Sequence, residues 1–94
     1  MKFFININGI DIYCSDLKIE NGTEYAFVDI KRADLRLDST QKATFRIPNC
    51  TLIDNHLFDD KDIAYISNIL SKIEMSIIND IKLNVDKQNT IGKH

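Results

Sequence analysis

Phe3-Phe4-Ile5-Asn6-Ile7-Asn8-Gly9-Ile10-Asp11-Ile12-Tyr13-Cys14 is the stretch on which the fold turns. Apolar and polar residues alternate on both sides of Asn8-Gly9, the period of a strand with one face buried. Asn-Gly accepts positive φ at both centres of a type I′ turn, the tight connection whose twist suits a hairpin. A two-residue loop predicts that Ile7 faces Ile10, Ile5 faces Ile12 and Phe3 faces Cys14 on one side. On the other side, Phe4 faces Tyr13 and Asn6 faces Asp11.

Working outward, a second Asn-Gly stands at Asn21-Gly22, between Leu17–Glu20 and Glu24–Val28. A strict two-residue turn pairs Ile19 with Glu24 and mixes the faces. A three-residue loop over Asn21–Thr23 pairs Ile19 with Tyr25 and Leu17 with Phe27, and that is the expected form. Ala33, Leu35 and Leu37 then alternate with Asp34, Arg36 and Asp38. After a polar run from Asp38 to Lys42, Ala43, Phe45 and Ile47 alternate with Thr44 and Arg46, which predicts a third hairpin closed by Pro48. Leu52-Ile53 adds a short edge strand.

From Phe58 the period changes. Ile63, Ile66, Leu70, Ile73 and Ile77 fall three and four apart, the stripe of an amphipathic helix. Asp59 suits the N-cap, Phe58 and Ile63 form a hydrophobic staple, and Asp60 and Asp62 complement the positive end of the helix dipole. Asn79 is the expected stop. About nineteen residues rising ~1.5 Å each then reach across a sheet of four to six strands. Ile81, Leu83 and Val85 resume alternation and suggest a final strand, with a polar tail over 87–94. Strands first and one long helix last make an α+β domain: an antiparallel β-meander of about five to six strands with the helix packed across it, one domain over residues 1–86.

With 94 residues, 44% hydrophobic and 28% charged, the chain holds a single ordinary core, and a net charge of -2 draws it towards neither nucleic acid nor acidic membrane in bulk. No apolar run is long enough to span a bilayer, and the first residues lack the apolar stretch of a secretory signal. Cys14 and Cys50 are too few for a disulfide framework. A cytoplasmic protein is the expectation. Sixteen Ile, nine Asn and nine Lys are what AT-rich codons supply, which points to an AT-rich bacterium or a phage or mobile element within one.

The search for chemistry finds little. Cys50, His56 and Asp54 make a nucleophile–base–carboxylate set on paper, against the plainer reading of a loop thiol and a solvated imidazole. Asp54, His56, Asp59, Asp60 and Asp62 offer oxygen and imidazole ligands, yet helix capping already accounts for three of them. Gly9, Gly22 and Gly92 are isolated, so no phosphate cradle exists. No catalytic residue, metal or cofactor is expected.

Charge is distributed unevenly. Residues 1–30 carry two basic and five acidic side chains, net -3. Residues 31–53 carry Lys31, Arg32, Arg36, Lys42 and Arg46 against Asp34 and Asp38, net +3, and residues 54–80 carry six acids and two lysines, net -4. Arginine suits bidentate contacts to phosphate or carboxylate, so this hairpin is a candidate binding face, with a solvated outer surface as the plainer alternative. Phe4 and Tyr13 add a candidate aromatic anchor. The expected function is a small non-enzymatic protein-binding module of inhibitor, immunity or antitoxin type, monomeric or homodimeric. The alternative is a nucleic-acid-binding accessory protein that uses the basic hairpin.

Overall fold

A computed structural model describes residues 1–34 and 39–92, with side chains described for 1–33 and 39–83. Six strands precede one helix: β1 (Lys2–Ile7), β2 (Ile10–Cys14), β3 (Lys18–Glu20), β4 (Thr23–Asp34), β5 (Ser39–Ile47), β6 (Thr51–His56) and α1 (Asp60–Gly92). The sheet runs β1-β2-β4-β5-β6 with every pairing antiparallel, and β3 pairs with the beginning of β4. This is the predicted α+β meander with a C-terminal helix.

The first hairpin closes on Asn8 and Gly9 at φ 52° and 81°, as the type I′ chemistry requires. Ile7↔Ile10, Ile5↔Ile12 and Asn6↔Asp11 pair as expected, but a bulge between Phe3 and Ile5 shifts the rest. Phe3, not Phe4, faces Tyr13, and Lys2 faces Cys14. The extra residue of the bulge sends the Phe4 ring inward, where it packs against the core.

The second hairpin departs from expectation at its turn. Asn21 and Gly22 take φ 52° and 78° in a strict two-residue loop, and Ile19 pairs with Glu24. β2 and β3 lie one after the other along the same edge of β4, Asp11–Cys14 against Val28–Lys31 and Lys18–Glu20 against Thr23–Tyr25. The two registers differ by one residue, and Ser15–Leu17 absorb the difference. Ser15 continues the ladder by donating its N–H to the Phe27 carbonyl at 2.9 Å, and its Oγ accepts from the Phe27 N–H at 2.9 Å.

The third hairpin is longer than predicted. Glu24–Val28 and Ala33 belong to one strand, and Ser39–Lys42, read from sequence as the polar turn, lie in β5 opposite Lys31–Asp34. Leu35, Arg36, Leu37 and Asp38 fall outside the described residues. Ala33 is exposed rather than inward. β6 pairs with β5 around a bulge between Thr44 and Phe45 and extends well beyond Leu52-Ile53.

The helix starts where the sequence places it. Asp59 Oδ1 accepts the Asp62 N–H at 2.8 Å, the N-cap bond, and Phe58 is buried beneath the first turn. It does not stop at Asn79. It runs to Gly92, so no strand forms over Ile81–Val85 and most of the expected polar tail is helical. Ile77 and Ile81 continue the three- and four-residue spacing of Ile66, Leu70 and Ile73, and neither Pro nor Gly interrupts the helix before Gly92. Ile81 is buried and Leu83 is 60% exposed, as helical spacing requires and strand alternation does not.

The core lies between helix and sheet. Ile10, Ile12, Ala26, Val28, Ile30, Ala43, Phe45 and Ile47 supply the sheet side, and Ile66, Leu70, Ile77, Ile78 and Ile81 the helix side. Burying aliphatic side chains of this size contributes ~1.5–3 kcal/mol each, so this layer dominates stability. Among the described residues no helix is long and apolar enough to cross a membrane.

Candidate interaction surface

One face of the sheet carries the helix, and no described element covers the other. On that outer face the register arranges side chains in rows that run across the strands. Asp11, Lys31, Lys42 and His56 stand side by side on β2, β4, β5 and β6. The next row is Tyr13, Asp29, Thr44 and Asp54, lengthened on β1 by Phe3. Beyond it lie Phe27, Arg46 and Thr51. Successive rows are two residues apart, ~6.8 Å. A basic row therefore adjoins an acidic one, with a shallow hollow of ≈ 110 Å³ among Asp29, Lys31, Lys42, Thr44 and Asp54.

Local contacts hold these groups in place. Lys31 Nζ lies 4.8 Å above the Tyr13 ring, and Phe3 meets the same ring edge-on at 5.5 Å. The Arg46 guanidinium stacks 4.0 Å above Tyr25 and reaches Glu20 at 3.6 Å, while Phe27 meets Tyr25 edge-on at 5.7 Å. Thr44 Oγ1 donates to Asp29 Oδ1 at 2.7 Å, and Asn6 Nδ2 donates to Asp11 Oδ1 at 2.7 Å. These are two cation–aromatic platforms flanking a polar centre.

The residues singled out from sequence divide. Tyr13, Lys31, Lys42 and Arg46 share the outer face. Phe4 does not, because the bulge turns it into the core. Arg32 does not either: on β4 it alternates inward with Ala26, Val28 and Ile30, beside the helix start. Its Nη2 donates to Asp62 Oδ2 at 2.8 Å, its Nε donates to Gln41 Oε1 at 2.8 Å, and its guanidinium lies 5.2 Å from the Phe58 ring. Gln41 in turn donates to the Leu57 carbonyl at 3.1 Å. Arg32 thus ties the sheet to the helix start and is not a surface cation of the basic hairpin. Arg36 lies outside the described residues.

The paper constellations come apart. Cys50, in the β5–β6 turn, points beneath the helix, where Sγ donates to the Ser67 carbonyl at 3.7 Å, whereas His56 and Asp54 stand on the outer face. Burial pushes the Cys50 thiol pKa up, hydrogen bonds to Ser71 and Ser67 oppose the rise, and Glu74 adds to it. Burial likewise raises Cys14, with Asp80 reinforcing the effect. Neither thiol is held in the activated, ionised form. Asp59 caps the helix and Asp62 pairs with Arg32. Among the described residues no three His, Cys, Asp or Glu groups are placed to hold a metal.

Sequence reading missed Phe3, Asp29, Asp54 and His56 as members of one face. Each bulge moves part of an edge strand out of simple alternation, and Asp29 sits inside a strand that reads as two. No family model, curated protein or solved structure matches this chain.

Proposed function

We propose that this protein is a non-catalytic protein-binding module that recognises its partner through the uncovered face of the sheet. The observation that carries the reading is the pair of cation–aromatic platforms, Lys31 on Tyr13 and Arg46 on Tyr25, on a face that no described element covers. Aromatic and arginine side chains held rigid before contact lose little entropy on binding and are the usual anchors of protein interfaces. Acidic and basic groups alternate on this face, which suits a protein surface of mixed charge better than a uniform row of phosphates. Small size and acidic balance give the finer form of the proposal, an inhibitor, antitoxin or immunity-type protein of an AT-rich bacterium or its mobile elements.

A photo-crosslinking amino acid in place of Phe27, on the outer face, and another in place of Met75, on the exposed side of the helix, test the reading in host lysate. Capture of protein from position 27 and not from position 75, unchanged by nuclease, is expected. Capture lost on nuclease treatment overturns the reading in favour of nucleic-acid binding. Equal capture from both positions overturns the choice of face.

A further inference from the structure

We propose that the sheet face recognises a second copy of this chain, in a two-fold dimer that lays each copy's basic row on the other's acidic row. The inference rests on the reading of this face as a protein-binding surface and names what the surface binds.

The argument comes from register. Lys31, Lys42 and His56 occupy neighbouring strands in one row, and Asp29, Thr44 and Asp54 occupy the same strands one row away. Consider two such faces packed together, related by a two-fold axis that lies between them, perpendicular to the strands. Each strand then lies over its own copy, and the order of the rows is reversed. With the axis midway between the two rows, Lys31 falls opposite the second copy's Asp29, and His56 opposite its Asp54. Lys42 falls opposite Thr44. A two-fold axis parallel to the strands instead sets like rows together and is excluded by repulsion. The charges are therefore self-complementary in one orientation only, the condition an isologous interface must meet.

Size and geometry agree. Strands of 6, 5, 12, 9 and 6 residues, at ~3.4 Å per residue along and ~4.8 Å across, give the face roughly 600 Å² per copy, or about 1,200 Å² for the pair, at the lower edge of specific interfaces. Aligned sheets pack about 10 Å apart with an angle near -30°, which their own twist supplies. The Tyr13 and Phe27 rings flank the ionic rows and exclude water at the margin. Because the centre is ionic and partly hydrated, the dimer weakens as salt rises. A different protein that displaces the second copy must present the same alternation, an acidic row against Lys31, Lys42 and His56.

Charge sorting tests the proposal. At about 100 µM and low salt, a concentration that populates any interface with Kd near 10 µM, sedimentation equilibrium of the full chain should give twice the 10.8 kDa monomer mass. Lys31→Asp sets two carboxylates against each other on β4 in both halves of the dimer, and Asp29→Lys sets two ammonium groups there, so each variant alone should associate at least tenfold more weakly. Mixed in equal amounts, the two should recover a heterodimer, because each opposing pair again carries opposite signs. Folding is checked by circular dichroism. If either variant fails to fold, His56→Glu with Asp54→Lys repeats the experiment on β6. A monomeric wild-type chain, single variants that dimerise as the wild type does, or a mixture that stays monomeric overturns the inference. Protein capture from position 27 by a monomeric wild-type chain would sink the dimer and leave the binding reading standing. Absence of any capture from position 27, the second copy included, sinks both.

Discussion

The two faces of one sheet are made by the same strands and differ in almost everything else. On the inner face the core-facing residues of β2, β4 and β5 are Ile, Val, Ala, Cys14 and Phe45, with Arg32 and Gln41 as polar exceptions near the helix start, and Val28, Ile30, Phe45 and Ile47 are wholly buried. On the outer face the residues between them are Tyr, Phe, Asp, Lys, Thr and Arg, most of them half-buried by one another rather than by a second layer, with Thr40 and Lys42 exposed. The inner face is specified by volume, the outer by pairing across strands. The period-two geometry of a strand lets one short sequence carry both sets of instructions without conflict.

The contrast predicts a steep asymmetry in mutational cost. Leu70, at the centre of the helix stripe and fully buried, should cost about 2–5 kcal/mol when changed to Ala, since the site loses transfer energy and leaves a cavity. Phe27→Ser removes a larger group from the outer face, yet should cost about 1 kcal/mol or less, because its ring is only half-covered. Urea unfolding of the two variants measures the difference. Equal costs would mean that the outer face is buried in solution by something the isolated chain supplies, which favours the dimer.

Arg32 sharpens the comparison because it is a polar residue on the apolar side. Arg32→Ala should cost about 1–2 kcal/mol, since it removes hydrogen bonds to Asp62 and Gln41 and the packing on Phe58. Lys82 pairs with Glu24 at 2.9 Å where both side chains are more than two-fifths exposed, and Lys82→Ala should cost no more than about 0.5 kcal/mol. Thermal melts at low and high salt separate the pairs: the Lys82 effect should vanish with salt and the Arg32 effect should persist.

Both thiols lie on the inner side, and the sign of their linkage follows. Burial favours the neutral thiol in the folded chain, so the folded pKa stands above the unfolded one for Cys14 and Cys50. Below the unfolded pKa, near 8.5, this difference has no effect on the pH dependence. As pH rises past that value the unfolded chain ionises first, and stability is lost progressively until the folded thiols ionise too. The melting temperature of the wild type should therefore fall more between pH 8 and pH 10 than that of the Cys14→Ala, Cys50→Ala double variant. Parallel curves would refute the assignment.

Sequence reading succeeded where one rule governed and failed where two competed. The helix start, the first Asn-Gly turn and the inward set of β2 and β5 follow from single, local signals. The second hairpin shows a competition. Asn21-Gly22 demands a two-residue loop, while the buried faces of β2 and β4 demand a register one residue away. Judged by faces alone, the tight turn looks wrong. The chain satisfies both by slipping one residue at Ser15–Leu17 and leaving Ile19 71% exposed at the edge. The Phe3–Ile5 bulge is a second slip of the same kind, and it moved the aromatic pair from Phe4 to Phe3. Helix termination failed for a different reason: three alternating residues, Ile81, Leu83 and Val85, fit a strand, but Ile81 also completes the helical stripe, and the uninterrupted helix wins. Arg32 joins the candidate binding set from sequence only because the twelve-residue β4 reads as two strands, which hides the parity that turns its side chain inward.

Glu74 supplies a small expected effect and the only one of opposite sign. It stands on the inner side of the helix between Leu70 and Ile77, and its Oε2 is buried with no hydrogen-bond partner among the described residues. A buried carboxylate oxygen in that state forfeits solvation that nothing replaces. Glu74→Met keeps the length of the chain and good helix propensity, and it removes the uncompensated oxygens. It should therefore stabilise the fold by about 0.5–1 kcal/mol in urea unfolding, whereas Glu74→Ala should gain less because it also gives up packing. Destabilisation by Met would mean that the carboxylate has a partner in solution. The Cys50 thiol, on which Glu74 and Ser71 both act, would then be the first group to examine.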